Sequence, residues 1–140
     1  MKWLRKNGIW VGLAVIAVIA LSAIFLANSS PAATTALPME VTVAKAAELR
    51  DGGAFILDVR QPEEWNEGHI PDAALIPLDQ LPSRINEVPK DQTVVVVCRS
   101  GNRSAAGRDI LLDAGFPTVT SMGGGMNSWA AKGLPTVTGP

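Results

Sequence analysis

Thr93-Val94-Val95-Val96-Val97-Cys98-Arg99-Ser100-Gly101-Asn102-Arg103-Ser104 is the stretch that decides the fold. Its first five residues form a continuous β-branched run bounded by polar residues. Such a run suits a strand buried on both faces, as in a parallel sheet covered by helices. Residues 104–114 carry a helical pattern. Ala106, Ile110, Leu111 and Ala114 fall on one face, and Gly115 and Pro117 stop the helix. The stretch therefore reads as buried strand, short loop and helix. In open sheets of this kind ligands bind at the carboxyl ends of the strands. Cys98, the single cysteine of the 140-residue chain, stands at such an end.

The flanking sequence repeats the alternation. Residues 55–58 (FILD) form a second apolar run ending in a polar residue, and residues 41–43, 74–76 and 118–121 are weaker strand signals. Between them, Pro62 with Glu63 and Glu64 marks a helix start: proline is tolerated in the first turn, and acids there complement the helix dipole. Residues 78–85 and 126–131 read as short helices. Strands alternating with helices predict an α/β domain with a mainly parallel central sheet flanked by helices, over residues 39–140.

The loop after the valine strand has a distinctive chemistry. A helix N-terminus offers unpaired N–H groups and partial positive charge. Gly101 frees the backbone to curl, and Asn102 tolerates left-handed geometry. Consecutive N–H groups can then converge on the Cys98 sulfur as an anion nest, with Arg99 and Arg103 adding charge. All of these favour thiolate over thiol. An isolated cysteine is otherwise more often a small buried hydrophobe; its place at a strand end argues for reactivity.

Here the sequence resembles the rhodanese-like sulfurtransferases, most closely the single-domain type. The Cys98–Ser104 loop is similar to their active-site loop. Leu57-Asp58-Val59-Arg60 resembles their first motif, and Glu64-Trp65, Gly68-His69-Ile70-Pro71 and Ala74 to Pro77 continue it. Gly123-Gly124-Gly125-Met126, with Trp129, Gly133, Leu134 and Pro135, resembles their C-terminal signature. The resemblance implies sulfur transfer: Cys98 takes sulfane sulfur from thiosulfate or a similar small anionic donor, holds it as a persulfide, and yields it to a thiophilic acceptor such as cyanide, a thiol or a protein. It implies a persulfide-binding loop made of Arg99, Ser100, Gly101, Asn102, Arg103 and Ser104, with Arg99 and Arg103 attracting the donor, and no cofactor. Asp58 either hydrogen-bonds this loop, as the resemblance suggests, or caps the following turn. Arg60 is expected to pair with Glu63, Glu64 or another acid. His69 is expected to be a structural hydrogen-bonding residue, and Trp65 and Trp129 packing residues. One departure is Asp72, where the family commonly has glycine; a surface turn is expected there.

Other readings are weaker. Cysteine phosphatases of the same fold need one more residue than the four that separate Cys98 from Arg103, and Ser104 cannot supply the guanidinium fork. A sulfur-carrier or partner-docking module without turnover remains open, because no second cysteine exists to discharge a persulfide internally. One cysteine and one histidine exclude an intrachain disulfide and make a structural zinc site implausible. The glycines at 123–125 lack the context of a nucleotide loop and predict a tight turn near the site.

The first 38 residues differ in kind. Residues 9–27 hold no charge, and as a helix would measure about 28 Å against a hydrocarbon core of ~30 Å. Lys2, Arg5 and Lys6 precede them, within a basic flank at residues 1–8. The expectation is an uncleaved single-pass anchor in a bacterial cell membrane with the domain outside the cytoplasm, or an exported domain if the segment is a cleaved signal. Residues 28–38 read as a linker. Beyond the three N-terminal cations the chain has nine basic residues against 13 acidic ones, and no basic stripe, which disfavours nucleic acid as a partner.

Overall fold

The computed structural model describes residues 36–140. Five parallel strands form one sheet in the order β1-β5-β4-β2-β3: β1 (Glu40–Val41), β2 (Phe55–Asp58), β3 (Ala74–Leu75), β4 (Val94–Val97) and β5 (Val119–Met122). Five α-helices accompany them: α1 (Val43–Asp51), α2 (Pro62–Glu67), α3 (Leu81–Arg84), α4 (Asn102–Asp113) and α5 (Gly125–Ala131), with a 3-10 turn at Ile85–Glu87.

The valine run occupies the centre. β4 lies between β2, with Phe55 opposite Val94 and Asp58 opposite Val97, and β5, with Val94 opposite Val119. Successive side chains of a strand point to opposite faces, so β4 feeds two cores. Val94 and Val96 join Leu57, Leu81, Leu111 and Phe116 on the face covered by α3 and α4. Val95 and Val97 join Ile56, Ala46, Met126 and Trp129 on the face covered by α1 and α5. The chain leaves β2 toward β3 and leaves β4 toward β5, in opposite lateral directions. The carboxyl ends of β2 and β4 therefore border a crevice, the place where such sheets bind ligands.

Several expectations are corrected. Residues 41–43 do not form one strand: β1 ends at Val41, and Thr42 caps α1, its hydroxyl accepting from the Lys45 N–H at 3.2 Å. Helix α1 left no clear signal, because only Val43 and Ala46 of its nine residues are buried. Helix α4 begins two residues earlier than predicted, and of the predicted inward face Ile110, Leu111 and Ala114 pack against the core while Ala106 does not. Ala106 is exposed, and the buried residues are Ser104, Gly107 and Leu111. A Cβ on Gly107 would lie 3.1 Å from Val96 Cγ1, so the missing side chain lets the helix approach the sheet closely. Residues 78–85 contain only one α-helical turn, α3, followed by the 3-10 turn.

Asp72 sits in a turn with φ of 66°, which accounts for a glycine preference at such a position. Among the described residues no helix is long and apolar enough to cross a membrane. The segment 9–27, read as an anchor, and its basic flank lie outside the described residues.

Candidate active site

Strand β4 delivers Cys98 to the crevice, where the residue is only 1% exposed. The chain then curls back over the sulfur. Gly101 has φ of 114°, a left-handed geometry open to glycine. This turn brings its own N–H to 3.0 Å from Sγ. Ser104, in the first turn of α4, places its hydroxyl 3.5 Å from Sγ and 2.8 Å from the Gly101 carbonyl, to which it donates. A hydroxyl proton rotates freely between two such acceptors, so it can turn to a thiolate.

Burial pushes the Cys98 thiol up. The Ser104 hydroxyl and the N–H groups of Ser104, Gly101 and Ser100 outweigh burial and bring the pKa below its ordinary value. A Ser104→Ala variant is expected to shift the pH midpoint of Cys98 alkylation by iodoacetamide upward. A midpoint that stays or falls would place the stabilisation of the thiolate elsewhere.

The loop is pinned from outside by the glycine turn. Gly124 and Gly125 have φ of 77° and 56°, and the following residues donate across the gap: Met126 N–H to Cys98 O at 2.8 Å and Asn127 N–H to Arg99 O at 3.0 Å. The glycine signature thus serves the loop backbone, as a tight turn beside the site. These two bonds were not legible in sequence; only the glycine cluster hinted at a close approach.

Asp58 does not hydrogen-bond the Cys98 loop. Its Oδ1 accepts the Arg60 backbone N–H at 3.0 Å, capping the turn, and its carboxylate grips the Arg60 guanidinium at 2.7–3.0 Å. Arg60 donates further to the Glu64 and Gly68 carbonyl oxygens, so its acidic partner is Asp58 and not Glu63 or the Glu64 carboxylate. The pair is a buried strut tying the end of β2 to α2. An Asp58→Asn variant is expected to lose about 3 kcal/mol of stability, at the lower end for a buried ion left without its counter-charge because the amide keeps one acceptor. Urea unfolding measures it; a loss under about 1 kcal/mol would show that water reaches Arg60 readily.

The two loop arginines differ. Arg103 is held by Glu64 in a bidentate pair, both contacts 2.7 Å, so its fork is already engaged. Glu64, expected as a first-turn acid of α2 and a candidate partner of Arg60, instead pairs with Arg103, and it also accepts from the Gln61 N–H at 3.2 Å. The Arg103 hydrogen bonds hold the Glu64 carboxyl at about 2, against desolvation and with help from Gln61. A carboxyl lowered from 4.5 to about 2 in the fold contributes its stability in full above about 4.5. That contribution is lost as pH falls from there through about 2. Wild type is therefore expected to lose more of its urea midpoint across that window than Glu64→Gln; equal acid sensitivity would rule out the linkage. Arg99, by contrast, is exposed and has no ion-pair partner among the described residues.

His69 is structural, as expected: its ring stacks on Trp65 at 3.5 Å, Nδ1 lies 3.0 Å from the Trp65 carbonyl, and its backbone pairs with Val137. Trp129 packs in the core, with its indole N–H donating to Pro135 O at 2.9 Å. Among the described residues no cluster of His, Cys, Asp or Glu is suited to a metal. A cleft of about 700 Å³ flanks the loop, bordered by Arg99, Arg60, Glu64, Met126 and Asn127.

Known proteins resemble this chain in sequence and fold. A "Sulfurtransferase" of Allochromatium vinosum is 43% identical over 83 residues, covering 59% of this chain and 78% of that protein. "Thiosulfate sulfurtransferase 16, chloroplastic" of Arabidopsis thaliana is 35% identical over 115 residues, covering 71% and 93%. The crystal structure of a rhodanese-related protein from Thermoplasma volcanium superposes with a TM-score of 0.68 at 30% identity, covering 73% of this chain and all of that one. Residues 42–132, from the cap of α1 to the end of α5, match the family described as the Rhodanese-like domain, and the chain belongs to that family.

Proposed function

We propose that the protein is a sulfurtransferase working through a Cys98 persulfide. The observation that carries this is a buried thiol whose pKa is lowered by a cradle of N–H groups and one hydroxyl, with no basic side chain hydrogen-bonded to it among the described residues. The Cys98 thiolate attacks the outer sulfur of thiosulfate. The S–S bond of thiosulfate breaks, its electron pair leaves on sulfite, and Cys98 gains a sulfur that ends as a persulfide anion. The N–H groups that stabilise the thiolate are placed to stabilise this anion. The persulfide sulfur then passes to a thiophilic acceptor, regenerating the thiolate.

Thiosulfate as donor follows the naming of the Arabidopsis relative and the charge of Arg99. A phosphatase reading is disfavoured by the engagement of Arg103 with Glu64, which removes the fork a phosphate would need. The test is intact mass after incubation with thiosulfate, then thiocyanate release on adding cyanide. A gain of one sulfur, lost to cyanide, supports the cycle. A gain without turnover turns the reading into a carrier that waits for a protein acceptor. Phosphatase activity that needs Cys98 would overturn it.

We also propose that residues 9–27 tether the domain to a bacterial cell membrane, facing outside the cytoplasm. The charge-free run and its basic flank support this. Full protection of the domain from protease added to cells stripped of their outer layer would overturn it.

A further inference from the structure

Four charged residues border the cleft beside the Cys98 loop, and two are neutralised within the fold. Arg60 is bound by Asp58, and Glu64 by Arg103. Arg99 and Glu67 remain, both exposed and both without an ion-pair partner among the described residues. They come from separate elements: Arg99 from the loop after β4, Glu67 from the last residue of α2. The lining also includes the side of α5 at Met126 and Ala130, and Thr136 of the C-terminal tail. That tail is tied to the α2 region by paired His69–Val137 backbone bonds of 2.9 Å and by Gly139 N–H to Asn66 O at 3.0 Å. The cleft is thus a built wall on both sides.

Its volume, about 700 Å³, falls in the range of sites for organic molecules and far exceeds what a small inorganic anion fills. Cys98 is not part of its lining, whereas its neighbour Arg99 is. The cleft therefore suits the body of a ligand whose sulfur reaches the adjacent loop. A body matching one free cation and one free anion carries a carboxylate and an ammonium group.

We infer that the cleft is the acceptor subsite and selects a thiol of the amino-acid or short-peptide type, Arg99 taking its carboxylate and Glu67 its ammonium. This rests on the Cys98 persulfide proposed above. The acceptor thiolate attacks the outer persulfide sulfur, the S–S bond to Cys98 breaks, and its electron pair returns to Sγ. The product is the acceptor's own persulfide, and the thiol proton goes to solvent. No oxidant or reductant is consumed.

The test loads the full chain from thiosulfate, removes the donor, and follows discharge by intact mass. The acceptors are cysteine, cysteamine, 3-mercaptopropionate and 2-mercaptoethanol at equal thiolate concentration, with cyanide as control. Cysteine is expected to discharge the protein about tenfold faster than 2-mercaptoethanol, roughly threefold for each of two exposed ionic contacts, with the two singly charged thiols between. Arg99→Gln is expected to abolish the advantage given by a carboxylate, and Glu67→Gln that given by an amine. Equal rates for all four thiols, or variants that slow all four alike, would overturn the assignment. Discharge by cyanide but by none of the thiols would also overturn it and point to a protein acceptor. Failure to load sulfur at all would instead overturn the persulfide reading, and this inference with it.

Discussion

A Cys98→Ser variant is expected to gain no sulfur from thiosulfate and to lose turnover by on the order of a thousandfold or more, the scale seen when a covalent nucleophile is removed. Serine keeps the shape of the loop: its oxygen stands where Gly101 N–H already points, beside the Ser104 hydroxyl, which donates to the Gly101 carbonyl. What disappears is the chemistry. The donors around Cys98 bring a thiol below its ordinary pKa, but the same shift leaves a serine hydroxyl protonated, and oxygen forms no persulfide. The variant should therefore remain folded while inactive. Intact mass and thiocyanate release read the first property, and a thermal melt reads the second. Sulfur uptake by this variant would show that another group carries the reaction, since the chain has no other cysteine.

The second large effect is structural. Gly125→Ala is expected to cost about 5 kcal/mol, combining left-handed strain, overpacking against backbone and weakened buried hydrogen bonds. The added Cβ would overlap Cys98 O and stand 2.5 Å from Arg99 C, both main-chain atoms that no rotamer change can move aside. Relieving the overlap means pushing α5 away from the loop, which stretches Met126 N–H to Cys98 O and Asn127 N–H to Arg99 O. Urea unfolding measures the loss. Where enough folded protein remains, the alkylation rate of Cys98 should also change, because its carbonyl has been displaced. A loss below about 2 kcal/mol would mean that the glycine turn yields more easily than its contacts imply.

These two residues illustrate what could be read along the chain and what could not. Cys98 was legible because the residues that surround it are local in the chain. A run of valines fixes a doubly buried strand, and the glycine and serine that surround the sulfur follow within six residues. Gly125 was legible only as part of a glycine cluster, because the atoms that require it belong to a loop 27 residues earlier. The same holds for the arginines. Arg103 looked like a free cation beside the sulfur until α2 set Glu64 against it, 39 residues away in sequence. Arg60 was expected to pair with an acid and Asp58 to cap a turn or reach the loop; which acid meets Arg60 was visible only in the fold, where the two form one buried pair. Helix α4 shows the limit of periodicity: three small residues, Ala105, Ala106 and Gly107, carry little hydrophobic signal, and the inward one is the glycine that permits close packing.

The alternation of strands and helices, the parallel sheet, the place of Cys98 at the end of a buried strand and the glycine-bearing loop that turns toward its sulfur were all legible along the chain. Each depends on neighbours within about one turn or one strand, where side-chain type and spacing dictate geometry. Only the tertiary structure decided which charges cancel, which glycine holds the loop, and that Arg99 and Glu67 are left facing a cleft. Those outcomes depend on contacts between segments far apart in the chain, and no local preference specifies a partner until the sheet brings the ends of β2 and β4 side by side.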